Sequence, residues 1–238
     1  MHAKTRLVAA SFLLSVTLAA GLKAADAPQP AAPIATGYFD GKDNPITGTP
    51  LSGDAKFSFV DSANPAVAPL AKAGFDEITR VGTLMVNQVG QALVSDDLGT
   101  MVSVMHLKNL TPPKPVAGKP TITAVKFTSL MLRDPLNKPD AADAAALAKI
   151  HQELMDNEKP DSMLVQRVER TNLPTEWRVY RPIAASKSCL VCHGDPKTFK
   201  PEVKAALAKF YPEDKASDYS AQEWRGVIRV SVAEAKAK

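Results

Sequence analysis

The sequence has little sulfur chemistry and few aromatic side chains. Among 238 residues there are two cysteines, two tryptophans and four histidines, and Phe, Trp and Tyr together make up 6%. Two cysteines exclude a fold held together by several disulfides. No basic stripe or cluster of aromatic residues is present, so nucleic acid is not an expected partner. A hydrophobic content of 45% indicates a folded globule rather than a disordered chain.

Long hydrophobic runs are absent after the N-terminus. At the start of the chain, Lys4 and Arg6 precede an apolar run from 7 to 20, and small residues follow. A run of this length is too short to cross a bilayer and is typical of a signal peptide. We therefore expect residues 1–25 to be removed on export to the periplasm or another extracytoplasmic compartment. No membrane span is predicted in the mature chain.

Charge is nearly balanced once this leader is set aside. Removing Lys4, Arg6 and Lys23 from the 29 basic residues leaves 26, against 25 acidic residues. About 214 residues remain, which is enough for one good core. We expect a Pro- and Gly-rich irregular segment over 26–73, with a short strand at 56–60, followed by a folded domain over 74–238.

Hydrophobic periodicity predicts helices first and strands later. Apolar residues at helical spacing predict a helix over 74–95, and a second helix is expected over 98–110. Alternating and β-branched segments predict strands, two of them joined as a hairpin. The further expected elements are a strand at 121–132, a loop at 133–140, a helix at 141–157 capped by Asp140, strands at 162–171 and 175–184, a helix at 201–210 and a strand at 223–232. This order indicates an α+β domain with an antiparallel sheet.

Both cysteines lie in the segment SKSCLVCHGDPK, residues 186–197, as Cys189 and Cys192, and His193 follows directly. A disulfide across so short a loop would stabilise little of the chain. A structural zinc site needs four ligands, and no second pair stands at useful spacing. A redox-active dithiol shares the CxxC spacing but is expected in a βαβ context. The pattern C-x-x-C-H in an exported chain favours covalent c-type haem attachment, with the dithiol and the disulfide as the alternatives.

The spacing has a physical reason. Thiols three residues apart lie on one side of a helical turn, where they can reach both vinyl groups of a single haem. The next residue then turns its imidazole toward the iron, so that His193 becomes the proximal ligand.

Three segments together carry a resemblance to a known family. FTSLMLRDPLNKPD, YRPIAASKSCLVCHGDP and EWRGVIRVSV resemble extracytoplasmic c-haem domains with a PAS-like fold, which occur alone or as sensory parts of receptors such as histidine kinases. The resemblance covers 75–232. It implies N-terminal helices packed on a small antiparallel sheet with an inserted haem-binding loop. It also implies one haem c bound through Cys189, Cys192 and His193.

The resemblance leaves the second axial ligand of the iron open. Members of this family can use a cysteine from the N-terminal helix, and this chain has no third cysteine. The corresponding stretch is SVMHLKNL, 103–110, which makes His106 the expected distal ligand. Met105 or Met101 is the alternative, and an open coordination position is the third.

Arginine is the preferred partner of carboxylates, and a haem carries two propionates. Arg133, at the start of the RDPLNKPD loop, is therefore a candidate propionate partner, although it can equally be an ordinary surface arginine. Tyr180 or Arg181, on the strand before the cysteines, could serve instead. His151 is expected on the surface.

Three functions follow from these expectations. The first is redox or small-gas sensing, with a diatomic ligand or an electron as the signal and another protein as the reader. The second is periplasmic electron transfer as a monohaem cytochrome c, with a redox protein as partner. The third is a peroxidase-like enzyme, which would need an open distal site with acid and base groups. No distal His–Arg pair is evident.

Overall fold

A computed structural model describes residues 55–104 and 112–235, and the chain is α+β, as predicted. Within these ranges there are five α-helices and five strands. The strands are β1 Lys56–Val60, β2 Thr121–Thr128, β3 Leu164–Glu169, β4 Glu176–Ala184 and β5 Trp224–Ala233. The helices are α1 Ala68–Ser95, α2 Leu98–Val104, α3 Ala141–Met155, α4 Leu190–His193 and α5 Pro201–Phe210. Short 3-10 turns lie at Pro135–Asn137, Lys187–Cys189 and Pro196–Thr198.

One antiparallel sheet organises these elements in the order β1-β3-β4-β5-β2. The predicted hairpin is confirmed, because β3 pairs with β4. The other pairs join distant parts of the chain. Phe57 is opposite Val168, and Phe127 is opposite Ile228. Strand β5 therefore lies between β4 and β2.

Helix α1 covers one face of the sheet. Successive strand residues point to opposite faces, so Val179 faces α1 and Tyr180 faces away from it. Gly74 lets the helix approach, because a Cβ at this position would lie 2.4 Å from Cγ2 of Val179. The main cluster of buried side chains on this side is apolar. Its buried members include Leu70, Ile78, Val165, Trp177, Val179, Ile228, Val230 and Val232.

Helix α3 covers the opposite face, where charged groups are buried. As predicted, Asp140 caps the helix, and its side chain accepts a hydrogen bond from the backbone N–H of Asp143. The Asp143 carboxylate in turn accepts one from the backbone N–H of Asp140. The Asp143 carboxylate is fully buried beside Arg178 and Tyr180. Leu147 and Ile150 add an apolar patch further along the helix.

Most element boundaries differ slightly from the sequence predictions, and two of them differ more clearly. Helix α1 begins at Ala68, six residues earlier than expected, because Pro69 suits a first helical turn and Leu70 continues the buried stripe. Strand β2 ends at Thr128 because the Ser129 hydroxyl accepts a hydrogen bond from the backbone N–H of Met131 and turns the chain. The predicted helix at 98–110 is present as α2 to Val104, and 105–110 lie outside the described residues. No helix in the described ranges is long and apolar enough to cross a membrane.

Candidate functional site

The cysteine turn follows directly from β4. The chain leaves the strand at Ala184, forms a 3-10 turn at Lys187–Cys189, and continues into the single turn of α4. The backbone N–H of Gly194 closes α4 on the Leu190 carbonyl at 2.9 Å. A Cβ on Gly194 would lie 2.7 Å from the same oxygen, so a glycine is needed where the turn ends.

Both thiols of this turn are free and partly exposed. Sγ of Cys189 is 3.1 Å from Oγ of Ser186, and its side chain packs beside Ala185 and Tyr219. Cys192 packs against the apolar cluster formed between α2 and α5. Burial raises the pKa of the Cys192 thiol, and Arg133 only partly opposes this effect. A raised pKa is the opposite of what a reactive thiolate requires.

His193 is held by one hydrogen bond to the backbone. Its Nδ1 lies 2.6 Å from the carbonyl oxygen of Ala216. A carbonyl can only accept, so Nδ1 carries the proton and Nε2 keeps its lone pair. Burial lowers the pKa of His193 well below its usual range, with Arg133 and Arg225 adding to the effect and the bond to Ala216 opposing it. The ring is therefore neutral, as a metal ligand must be.

Arg133 lies at this turn, where the sequence predicted a role for it. Its guanidinium pairs with the Asp214 carboxylate, with Nε and Nη2 at 3.0 and 2.9 Å from Oδ2. Nη2 also donates to the carbonyls of Cys192 and Ala216. Nη1 lies 3.5 Å from Nε2 of His193. Arg133 thus fastens the 214–216 segment to α4 and turns one remaining donor toward the imidazole.

Sequence reasoning missed Arg225 and Tyr219. The Tyr219 ring meets His193 edge-on, with 6.3 Å between the ring centroids, and the Arg225 guanidinium lies 5.2 Å from the Tyr219 centroid. Arg225 also donates to the Met131 carbonyl at 3.0 Å. Burial lowers the pKa of Arg225, although the neighbouring Tyr219 opposes the effect. The only available signal was the position of Arg225 at the start of a predicted strand, which does not indicate a site.

Tyr180 is not available to a bound group, which corrects its predicted role as a propionate partner. Its side chain is fully buried, and its hydroxyl lies 3.1 Å from the Asp143 carboxylate and 2.9 Å from Oε1 of Gln166. Arg181, the alternative, instead places its guanidinium 5.1 Å from the centroid of the Phe75 ring. The alternation of side chains along β4 therefore divides these two residues between the α3 face and the α1 face.

The structure describes one of the three predicted distal ligands, Met101. His106 and Met105 lie outside the described residues. Met101, on α2, packs against the same apolar cluster as Cys192. His151 is half-buried rather than on the surface, with its ring centroid 6.3 Å from that of Trp224, and burial lowers its pKa.

The residues of the turn fit a c-type haem. Two free thiols three residues apart lie on one short helical segment, and the imidazole that follows presents an unprotonated Nε2. Cys189, Cys192 and His193 would hold the group. In the described ranges, no group of three or more His, Cys, Asp or Glu residues could hold a metal ion by itself.

Fold and turn together define an α+β domain, with a five-stranded antiparallel sheet between α1 and α3 and a CxxCH turn after the central strand β4. The chain belongs to the Tll0287-like family, whose model matches residues 71–233. Among solved structures, the crystal structure of the cyanobacterial haem-protein Tll0287 is similar to it, with 18% sequence identity and a TM-score of 0.44. That likeness covers 74% of this chain and 100% of the other. A comparison with curated proteins gives no match.

Proposed function

We propose that this protein is exported and carries one haem c, joined to Cys189 and Cys192 by thioether bonds and to Nε2 of His193 through its iron. The hydrogen bond from Nδ1 of His193 to the Ala216 carbonyl carries the proposal. Such a bond fixes the tautomer and the orientation of a metal-bound imidazole. When bound, the haem would supply one-electron redox chemistry and a binding site for diatomic gases.

Two further observations support a haem. Cys189 and Cys192 pack against two different apolar clusters, one around Tyr219 and Met131 and one between α2 and α5. Apolar side chains beside both attachment points suit a large apolar macrocycle. The family also takes its name from a protein described as a cyanobacterial haem-protein.

The pyridine haemochrome spectrum of the purified holoprotein tests the attachment. We expect the absorption of a haem with two thioether bonds, and haem that stays with the chain on a denaturing gel. The Cys189→Ser/Cys192→Ser double variant should lose covalent haem, whereas Ser186→Ala, which changes only the polar neighbour of Cys189, should keep it. A b-type spectrum or a haem-free wild-type protein would contradict the proposal.

For the sixth coordination position we propose His106. Helix α2 supports this assignment, because its residues Met101 and Val102 pack in the same cluster as Cys192. Val104, the last described residue of α2, precedes His106 by two positions, and two residues of chain span at most about 7 Å. The ferric and ferrous spectra of His106→Ala should shift toward five-coordinate iron. A spectrum that remains six-coordinate and low-spin would exclude His106, and Met105→Leu and Met101→Leu would then test the thioethers.

The role that we propose is redox or gas sensing, in line with the resemblance to PAS-like sensory domains, and a partner protein would read the state of the haem. Electron transfer is the alternative. Carbon monoxide separates gas sensing from electron transfer, because a gas sensor must let a gas reach the iron, while an electron carrier with two firm axial ligands has little reason to. Rapid binding of CO to the reduced protein supports gas sensing. A reduced spectrum that CO leaves unchanged contradicts it and favours electron transfer.

Export remains part of the proposal. The apolar run at 7–20 and the small residues after it support a cleaved leader. N-terminal sequencing of the mature protein from periplasmic extracts tests this. An intact Met1 in a cytoplasmic fraction would contradict it.

A further inference from the structure

Positive charge is in excess around His193. Nη1 of Arg133 lies 3.5 Å from Nε2 of the ring, and the Arg225 guanidinium lies 5.2 Å from the centroid of Tyr219, which meets the ring edge-on. In the described ranges the ion pairs of this cluster include one carboxylate, Asp214, which is already bound to Arg133. A buried charge without a partner is unfavourable. The cluster is therefore one negative charge short of balance.

The buried network under α3 provides an internal comparison. There, Arg178 lies 2.7 Å from Asp140, and Arg229 lies 3.7 Å from Asp143. Lys126 likewise lies 2.9 Å from Asp143. These three cations each have a carboxylate within ion-pair distance, as buried charges usually do. Arg225 has no such carboxylate in the part of the chain that the structure describes.

The donors of Arg225 are also incompletely used. Nη1 donates to the Met131 carbonyl, but Nε is buried and has no hydrogen-bond partner. Nε of Arg229 also lacks one, but it lies 3.7 Å from the Asp143 carboxylate, whereas Nε of Arg225 has no carboxylate within ion-pair distance in the described residues. Buried donors in folded proteins almost always have an acceptor. Guanidinium groups bind carboxylates particularly well, because two of their N–H groups can point at two oxygens at once.

Arg133 would lack an acceptor in a haem-loaded protein. Its Nε and Nη2 are fixed by Asp214 and by two backbone carbonyls, and Nη1 faces Nε2 of His193 at 3.5 Å. A metal bound at Nε2 takes the lone pair to which this N–H is directed. One donor on each arginine, Nη1 of Arg133 and Nε of Arg225, is then open.

We propose that Arg225 and Arg133 together form the receptor for the two propionate carboxylates of the haem, with Arg225 as the anchor that the sequence did not reveal. This inference rests on the proposed haem attachment. Two open donors on two half-buried cations match two anionic groups in number, and one of these anions would balance the charge that Asp214 leaves unpaired. Arg225 acts as a positioning residue, because it orients the haem through its carboxylates and does not touch the iron.

The test compares holoproteins carrying Arg225→Gln, Arg225→Lys and, as a charge-matched control, Arg181→Gln. Arg181 lies on β4, and its guanidinium is directed at Phe75. Resonance Raman spectra report the propionate bending modes directly. We expect these modes to shift in Arg225→Gln and, less strongly, in Arg225→Lys, while Arg181→Gln stays at the wild-type position. The reduction potential of Arg225→Gln should fall relative to both wild type and Arg181→Gln, because an unneutralised propionate favours ferric iron.

The outcomes separate this inference from the proposed function. A wild-type protein without covalent haem overturns both. A wild-type protein with haem c, and propionate modes that are identical in wild type and both Arg225 variants, overturns the receptor alone. If Arg225→Gln does not fold, Arg225→Lys decides the matter, since it keeps the charge and loses the planar pair of donors.

Discussion

His193 and Arg133 donate hydrogen bonds to the same carbonyl oxygen, that of Ala216, at 2.6 and 3.2 Å. Asp214 holds this shared acceptor in place. Its Oδ1 accepts from the Ala216 backbone N–H at 2.8 Å, and its Oδ2 binds the Arg133 guanidinium. The orientation of the imidazole therefore depends on a carboxylate that never touches the imidazole.

Asp214→Asn tests this dependence. The asparagine loses the ion pair with Arg133, and we expect the free energy of unfolding to fall by about 1–3 kcal/mol. Urea unfolding followed by circular dichroism measures the change. Asp218→Asn is the matched control, because Asp218 is exposed and has a left-handed backbone that asparagine tolerates. Equal stability of Asp214→Asn and Asp218→Asn would show that the ion pair between Asp214 and Arg133 contributes nothing.

Tyr180→Phe tests whether Tyr180 belongs to the buried network under α3 and not to the haem site. Removing the hydroxyl takes away the single O–H donor that lies between the buried Asp143 carboxylate and Oε1 of Gln166, so the protein should lose about 1–3 kcal/mol of stability. The haem spectrum of the holoprotein should stay as in wild type. A changed spectrum with unchanged stability would return Tyr180 to the haem site.

Two glycines on α1 give opposite predictions for the same substitution. Gly74→Ala places a methyl group 2.4 Å from Cγ2 of the fully buried Val179, and overpacking of this kind costs about 1–3 kcal/mol. Gly90→Ala meets nothing within 4 Å and should stabilise the helix by about 1 kcal/mol. Thermal unfolding of the two variants beside wild type measures both effects. A Gly74→Ala protein as stable as Gly90→Ala would mean that α1 does not lie this close to β4.

The buried network under α3 predicts a loss of stability in acid. Burial alone would raise the pKa of Glu176, but the charge of Arg178 and hydrogen bonds from Ser231, Arg178 and Arg170 outweigh it and hold this pKa at about 2, against 4.5 for a free glutamate. The stabilisation is complete above about pH 4.5 and is lost as the pH falls toward 2. It corresponds to about 3 kcal/mol.

Urea unfolding between pH 2 and pH 6 checks this prediction. The difference in stability between wild type and Glu176→Gln should stay constant from pH 6 to about pH 4.5 and then shrink as the pH falls toward 2. Glu169→Gln, in an exposed pair with Arg167, should give a small difference at every pH. A difference for Glu176→Gln that does not change with pH would contradict the assigned pKa.

Much of the fold was predictable because local patterns determine it. Short stretches of sequence determine the alternation in β3, β4 and β5, the start of α5 at a proline and the cap of α3 at an aspartate. Strand order was less accessible, since the pairing of β1 with β3 depends on contacts between distant segments. No local pattern shows which strand will lie beside which.

The candidate site, too, was predictable only in part. Cys189, Cys192 and His193 form a continuous motif, and Arg133 was found from its charge and its loop. Ala216 and Tyr219 contact His193, and Asp214 and Arg225 contact these two residues in turn. All four come from a loop and the start of a strand that only the folded sheet brings to α4. Ala216 contributes a backbone carbonyl, for which a sequence carries no signal at all.

The long-range pairing of β2 with β5 has a consequence for the order in which the chain folds. Arg133 follows β2 and Ala216 precedes β5, so the groups that enclose His193 come together only when the C-terminal strand docks. Contacts between segments this far apart form late in folding. Before that step the cysteine turn lacks both the Ala216 carbonyl and the Arg133 guanidinium. The orientation of the His193 ring is therefore set only when the last strand of the chain is in place, although the turn itself is complete as soon as its own residues are.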